Sequence, residues 1–290
     1  MQKLTLISLL KALQHHWPYY LAEAAGLAIF VVFSCLTAVF FNHPTAPGRQ
    51  WLGENEWLRR VATAVVMASV VAGISLSTWG QRSGTHINPA VTVAFWQLGS
   101  IRGVDAFWYI VAQFAGAILA GELMVNLLRE WYPHPDVHFN ITKPGLPGWA
   151  VALLAEFVIS GIMAGVLLVA LHSKRLKKAA PWLLAGLIAV YIVFETPLSG
   201  MSLNPARSLG TAVAAGQYPA LWIYFVGPVA ATWLATVLFK RFCKGELLAC
   251  AVIAGCDTRP ETGPYAAEKP QFPNPQDNCT RHELGCESRT

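Results

Sequence analysis

The sequence predicts an all-α membrane protein with six membrane-spanning helices and two reentrant half-helices, arranged as an inverted repeat. Three observations support this fold class. Hydrophobic residues make up 54% of the chain and charged residues only 13%, which lies outside the range of ordinary soluble domains. Several apolar segments are long enough to cross a bilayer. A short motif also occurs twice, once in each half of the chain.

Each predicted span has roughly the 20 residues that a helix needs to cross a bilayer. The spans are residues 21–41, 61–80, 106–128, 149–171, 179–198 and 218–239. An even number of spans places both termini on one side. Basic residues cluster at 174–178 and 240–244, and such clusters favour the cytoplasm, although Arg49, Arg59 and Arg60 then lie outside. We expect an integral protein of the plasma or bacterial inner membrane with cytoplasmic termini.

Charge and cysteine patterns exclude several function classes. The net charge of +5 comes from short clusters beside apolar runs, which indicates topology and not nucleic-acid binding. Cys35 lies in an apolar run, and the other cysteines follow the last span with spacings that fit no common zinc site. We expect free thiols, no metal, no cofactor and no catalytic residue. The chain divides into an N-terminal segment at 1–17, a membrane domain at 18–242 with halves at 18–130 and 149–242, and a disordered cytoplasmic tail at 243–290.

The repeated motif reads SGTHINPA at 83–90 and SGMSLNPA at 199–206. Each copy follows the second apolar segment of its half. Glu23 in the first span also has a counterpart, Glu156, in the fourth, and an alanine precedes each. Because each half contains an odd number of spans, the two halves enter the membrane in opposite directions, which is an inverted repeat.

Each motif ends in a triplet that is typical of a helix start, since asparagine is a favoured N-cap and proline a favoured first residue. The triplets comprise Asn88, Pro89, Ala90, Asn204, Pro205 and Ala206. The helices that follow, at 88–98 and 204–215, rise only about 16 Å and reach about halfway across a bilayer. In opposed halves their positive N-terminal ends meet near the midplane, where they repel cations. The asparagine amides can donate to the oxygen of water or an alcohol there.

The residues before each triplet predict irregular backbone at membrane depth, which is tolerated only against protein or a water-filled cavity. We therefore expect pore-lining backbone at Gly84, Thr85, His86, Gly200 and Ser202.

Three of the charged residues in apolar surroundings are candidate site residues. Arg207 directly follows the second triplet; it could extend to the membrane surface, but no acid lies near it in the sequence, and intramembrane charge is usually functional. Glu23 and Glu156 could relay protons. Their symmetric positions favour a structural role as hydrogen-bond acceptors that anchor the reentrant loops.

Together, the paired triplets, Arg207 and the paired Ala-Glu positions resemble the aquaporin and glycerol-facilitator family across about residues 18–242. The resemblance implies an aquaporin-like right-handed helical bundle, a pore in each subunit, a homotetramer, and passive flow in both directions with no enzymatic step.

In that family, solutes are selected at a narrow ring formed by an arginine and three further positions. Arg207 matches the arginine, and counting along the chain gives Met201, Ile192 and Ala68. Water-selective relatives usually have histidine and an aromatic residue at the last two positions, and glycerol facilitators typically have a tryptophan at the last. This sequence departs from both patterns, since Ile192 and Ala68 stand at those positions. A ring that is apolar on two sides has room for glycerol, ammonia or a metalloid acid, but the long, flexible Met201 can refill that space. We therefore expect water first, with these small neutral solutes close behind.

Two other function classes remain open. A coupled secondary transporter also uses inverted repeats and broken helices, but it needs a titratable or ion-binding group at the midplane, where this sequence has Asn88 and Asn204. A membrane scaffold without transport would have a plugged bore.

Overall fold

The computed structural model describes residues 5–173, 175–243 and 251–253. Within this part of the chain the protein is helical, with no strands. The helices are α1 (Leu6–Asn42), α2 (Pro47–Leu52), α3 (Glu56–Leu76), α4 (Thr78–Ser83), α5 (Pro89–Leu98), α6 (Gly103–Leu128), α7 (Trp149–His172), α8 (Ala180–Phe194), α9 (Thr196–Ser199), α10 (Pro205–Ala215) and α11 (Ile223–Phe242).

Six of the described helices are long and apolar enough to cross a membrane, namely α1, α3, α6, α7, α8 and α11. This confirms the predicted fold class. Helix α1 starts at Leu6 instead of residue 21, because Thr5 forms a capping box with Ser8. Helix α3 ends at Leu76 instead of residue 80, because Ser77 caps the short helix α4 and its Oγ accepts a hydrogen bond from the Gly80 N–H at 3.0 Å.

Helix pairing follows the inverted repeat. The most extensive contacts pair α1 with α6, α7 with α11 and α3 with α8. In the repeat, α1, α3, α5 and α6 of the first half correspond to α7, α8, α10 and α11 of the second. The α1–α6 pair therefore corresponds to the α7–α11 pair, and the α3–α8 pair joins two equivalent helices. The half-helices α5 and α10 also exchange partners, since α5 packs on α11 and α10 on α6. Each half of the chain therefore holds the half-helix of the other.

Glycine permits the closest helix contacts. A Cβ added to Gly116 in α6 would lie 2.2 Å from the carbonyl oxygen of Ala24 in α1, and one added to Gly121 would lie 2.4 Å from the oxygen of Gly210 in α10. Real Cβ atoms do not approach so closely. The small residues of α6 therefore set how near the first span and the second half-helix come to it.

Large apolar side chains cover the outside of the bundle. Leu119, Leu154 and Phe194 expose 69%, 62% and 68% of their surfaces. A soluble protein rarely exposes apolar surface on this scale, so the outer face is suited to lipid.

Several predictions concern residues outside the described part of the chain. They include residues 1–4 of the N-terminal segment, Cys250, Cys256, Cys279, Cys286 and most of the tail predicted to be disordered. Within the described part, Cys35 and Cys243 are free thiols. The tail prediction does not hold for Ala251, Val252 and Ile253, because Val252 and Ile253 are buried.

Candidate functional site

The two half-helices begin in the same way. Asn88 caps α5, and its Oδ1 accepts the Ala90 N–H at 2.9 Å. Asn204 caps α10, and its Oδ1 accepts the Ala206 N–H at 3.0 Å. Proline is the first residue of both helices, where its fixed φ suits a helix and its missing N–H costs nothing. The predicted starts of both half-helices therefore match the structure.

The asparagine amides tie the two repeats together. The Nδ2 of Asn88 donates to the Leu203 carbonyl at 2.8 Å, and the Nδ2 of Asn204 donates to the Ile87 carbonyl at 2.7 Å. Each amide nitrogen has two hydrogens, so each keeps one for another partner. The half-helices thus meet N-terminus to N-terminus, with their positive ends at one place.

The loop before each half-helix takes an unusual backbone conformation. Thr85 and Ile87 have φ of 57° and 39°, and their counterparts Met201 and Leu203 have φ of 49° and 59°. Non-glycine residues rarely adopt positive φ, and branched ones least of all. Such strain persists only where surrounding contacts enforce it.

Two buried glutamates supply those contacts. Glu156 accepts hydrogen bonds from Ser199 Oγ at 2.7 Å, the Ser202 N–H at 2.7 Å and the Leu203 N–H at 2.8 Å. Glu23 accepts the equivalent bonds from Ser83 Oγ, the His86 N–H and the Ile87 N–H. Both carboxylates are fully buried. Their oxygens therefore pair with loop donors, which is the structural arrangement expected from their symmetric positions.

Each anchor is completed by one tyrosine, which the sequence alone did not reveal. The hydroxyl of Tyr109 in α6 donates to the Ser83 carbonyl at 2.7 Å, and that of Tyr224 in α11 donates to the Ser199 carbonyl at 2.6 Å. Each follows its motif by nearly the same number of residues. An alignment of the two halves that extends beyond the motif would have revealed these paired tyrosines.

A narrow cavity of about 90 Å³ runs past both asparagines. Its wall combines the two loops with apolar side chains of α1, α3, α7 and α8. Its lining includes Phe30, Val71, Thr85, His86, Asn88, Leu167, Leu184, Ile188, Met201, Ser202, Asn204 and Ile253. Such a volume holds several water molecules.

A wider, more polar cavity of about 380 Å³ adjoins the narrow one. Its lining includes Phe30, Asn42, Arg49, Glu54, Glu56, Arg59, Arg60, Met67, Asp136, Asn140, Ile188, Ile192, Gly200, Met201 and Arg207. Because Phe30, Ile188 and Met201 line both cavities, the two meet at these residues.

Of the four positions assigned to the ring, Met201, Ile192 and Arg207 line the wide cavity. Ala68 lines neither cavity, and Met67 takes its place. A helix turns about 100° per residue, so a one-residue shift moves a side chain off a face. Thr63 and Met67 on the wide cavity and Val71 on the narrow one are spaced by one helical turn, and this is the face of α3 that points inward.

Arg207 is held at the start of α10 through its backbone. Its backbone N–H donates to Asn204 Oδ1 at 3.3 Å. The residue is only 8% exposed, and one of its guanidinium nitrogens has no hydrogen-bond partner among the described residues. An unpaired buried donor is costly, unless a molecule in the cavity accepts from it.

The predicted backbone positions fall in three places. Thr85, His86 and Ser202 line the narrow cavity, and Gly200 lines the wide one. Gly84 lines neither cavity, unlike the prediction, because the tail at Ile253 covers it: its carbonyl accepts a hydrogen bond from the Ile253 N–H at 3.0 Å.

Known proteins resemble this chain in sequence and fold. Aquaporin NIP1-2 of Oryza sativa subsp. japonica is 35% identical over 73% of this chain and 67% of its own length. Aquaporin NIP2-2 of Zea mays is 32% identical over 60% of this chain, and nodulin-26 of Glycine max is 27% identical over 75%. The chain spans 58% of the length of the Zea mays protein and 76% of that of nodulin-26.

A solved structure, the aquaglyceroporin from Plasmodium falciparum, superposes with a TM-score of 0.64 over 78% of this chain and 96% of its own. Its sequence identity is 15%, so this likeness concerns the fold. The residue pattern of the family described as major intrinsic protein matches residues 11–239, which includes both half-helices, the four inner spans and most of the first and last spans. The chain therefore belongs to the major intrinsic protein family.

Proposed function

We propose that this chain forms a passive channel for water and small uncharged solutes. The observation that carries the proposal is the meeting of two half-helix N-termini, with Asn88 and Asn204 both in the wall of the narrow cavity. Each asparagine Nδ2 has one hydrogen committed to the opposite loop. The second hydrogen of each is suited to the oxygen of a passing molecule.

The same geometry opposes ions and protons. The converging helix ends are positive and lie at membrane depth, where they repel cations. The asparagines are donors that orient a water oxygen toward themselves, and this interrupts a chain of waters that could pass protons. Anions would have to shed their hydration against a mostly apolar wall, which is costly.

The solute class follows from the wall near Arg207. Met67, Ile192 and Met201 contribute apolar surface there, and Arg207 contributes donors. This combination fits a molecule with carbon on one side and hydroxyl or amine groups on the other. We propose water and glycerol-sized neutral solutes, with ammonia and metalloid acids as further candidates. The methionines are flexible enough to adapt to solutes of different shape.

We also propose a homotetramer with a pathway in each subunit, both termini in the cytoplasm, and a location in the plasma or bacterial inner membrane. The exposed apolar side chains of the bundle support a lipid or subunit environment on every side. Lys240 and Arg241 in the last turn of α11 support a cytoplasmic C-terminus.

Stopped-flow light scattering on proteoliposomes tests the function. We expect vesicles with the wild type or with Arg207→Ala to shrink faster than empty ones in a sucrose gradient. In a glycerol gradient, Arg207→Ala should re-swell several times faster than the wild type, because the guanidinium no longer narrows the wide cavity. Arg129→Ala, an exposed position on neither cavity wall, is the control.

Ile253 lines the narrow cavity, and Ile253→Asp is the second variant to measure. The proposal is contradicted if the wild type and Ile253→Asp both show only the water flux of empty liposomes. A flux that depends on a proton or sodium gradient would instead favour a coupled transporter. The anchoring of Glu23 and Glu156 by loop donors argues against this alternative.

A further inference from the structure

Ala251, Val252 and Ile253, here called the tail segment, lie against the loop that precedes α5. The Ile253 N–H donates to the Gly84 carbonyl at 3.0 Å. His86 Nε2 lies 2.8 Å from the Ala251 carbonyl oxygen. A carbonyl can only accept, so Nε2 carries the hydrogen and donates. Two hydrogen bonds therefore join the tail segment to the wall of the narrow cavity.

Gly84 is shaped for this contact. A Cβ at Gly84 would lie 2.2 Å from the Ala251 carbonyl oxygen, and its φ of 98° also favours glycine. The backbone of the tail segment thus occupies the space that a side chain at position 84 would need. Of the two motif glycines, Gly200 has no such neighbour closer than 3.2 Å. The contact therefore distinguishes the first loop from the second.

The side chain of Ile253 is part of the cavity wall. It is 5% exposed and packs in one apolar cluster with Leu167 and Leu184, which line the same cavity. The cluster also contains Leu171 and Phe239 near the C-terminal ends of α7 and α11. This places Ile253 at the end of the narrow cavity that faces the side of both chain termini.

We propose that the loop around Gly84 and His86 is a binding site for the tail segment of the same chain, and that its occupation closes the narrow cavity at the terminal side. The inference rests on the proposed channel function. An apolar side chain that replaces water at the mouth removes the polar partners a permeating molecule needs, and hydrophobic constrictions gate by dewetting. The structure is then that of a shut channel, and release of the tail segment opens it.

A substitution that raises flux gives the sharpest test, because misfolding lowers flux. Ile253→Asp places a carboxylate in an apolar cluster and should expel the tail segment. We expect water permeability per channel to rise at least about threefold over the wild type, because the wild type is mostly in the shut form. Ile253→Val keeps an apolar plug and should stay near the wild type. Leu176→Asp makes the same kind of change at an exposed position in the connection between α7 and α8, and should have no effect.

Outcomes separate the two proposals. If Ile253→Asp and the wild type conduct equally and above empty liposomes, the plug is overturned and the channel stands. If every folded variant stays at the level of empty liposomes, both are overturned. Amide hydrogen exchange gives a readout without flux: residues 251–253 should be protected in the wild type and exchange freely in Ile253→Asp. Exchange in the wild type as fast as in an unstructured peptide would also overturn the plug.

Discussion

At the scale of single residues, the two loops depend on Glu23 and Glu156. Each carboxylate accepts two backbone N–H groups of a loop with strained φ values and one serine hydroxyl. Without such an acceptor at membrane depth, these backbone donors would be buried and unpaired. The acids therefore hold the loops that line the cavities, although their own side chains do not appear in the lining of either cavity.

We predict that Glu156→Gln destabilises the protein. Glutamine has one oxygen, and its NH₂ group would face a loop N–H, which leaves a buried donor unpaired at a cost of about 1–3 kcal/mol. Thermal unfolding in detergent should show a lowered Tm. Glu130→Gln, the same chemical change at an exposed position, should leave the Tm unchanged. An equal Tm for both variants would mean that the carboxylate does not hold the loop.

At the scale of helices, one face of α3 decides which side chains meet the pathway. Thr63, Met67 and Val71 share that face and Ala68 does not. Counting residues back from Asn88 gave Ala68 instead of Met67. Such a count assumes a particular fold for the chain between α3 and α5. The short helix α4 occupies this connection, and the turn that Ser77 makes there determines the register of α3 relative to the motif.

Cysteine substitution tests the register. We predict that a small methanethiosulfonate reagent lowers water flux by more than about half in Met67→Cys, since the modified side chain projects into the wide cavity. Ala68→Cys should be unaffected, because its side chain points about 100° away. The wild type treated with the same reagent controls for the native cysteines. Inhibition of Ala68→Cys alone would restore the assignment made by counting.

Helix packing gives a second prediction at this scale. Gly116→Ala must push α6 from α1, because its Cβ would lie 2.2 Å from the Ala24 carbonyl oxygen. Overpacking of this kind costs about 1–3 kcal/mol. Gly165→Ala in α7 is the matched control, since no atom lies within 4 Å of the added Cβ, and it should be neutral or slightly stabilising. Comparable Tm values for the two variants would contradict the close approach.

At the scale of the whole molecule, the pathway exists only because two halves of opposite orientation share it. Asn88 belongs to the first half and donates to the second, and Asn204 does the reverse. Neither half alone brings two positive helix ends to one point. The proposed exclusion of ions therefore requires both halves of the repeat.

We predict water flux without proton leak. Vesicles that contain the protein and a trapped pH dye should shrink rapidly in sucrose but keep an imposed pH gradient as long as empty vesicles do. In Asn204→Asp, the carboxylate removes the donor at the centre and adds an ionisable group. The imposed pH gradient should therefore decay faster than in wild-type vesicles. Asn126→Asp, on the exposed part of α6, should behave as the wild type. A wild-type leak that rises in step with water flux would contradict proton exclusion by the half-helices.

The sequence by itself determined the spans, the inverted repeat, the half-helix starts at Asn88 and Asn204, and the anchoring glutamates. These features are local or repeated: apolar length, N-cap chemistry and a motif found twice are readable without contacts. Only the tertiary structure showed that Met67 and not Ala68 lines the wide cavity, that Tyr109 and Tyr224 anchor the loops, and that Ile253 packs against Gly84. The physical reason is that each depends on the direction of a side chain or the path of a distant segment, which only the packed bundle determines.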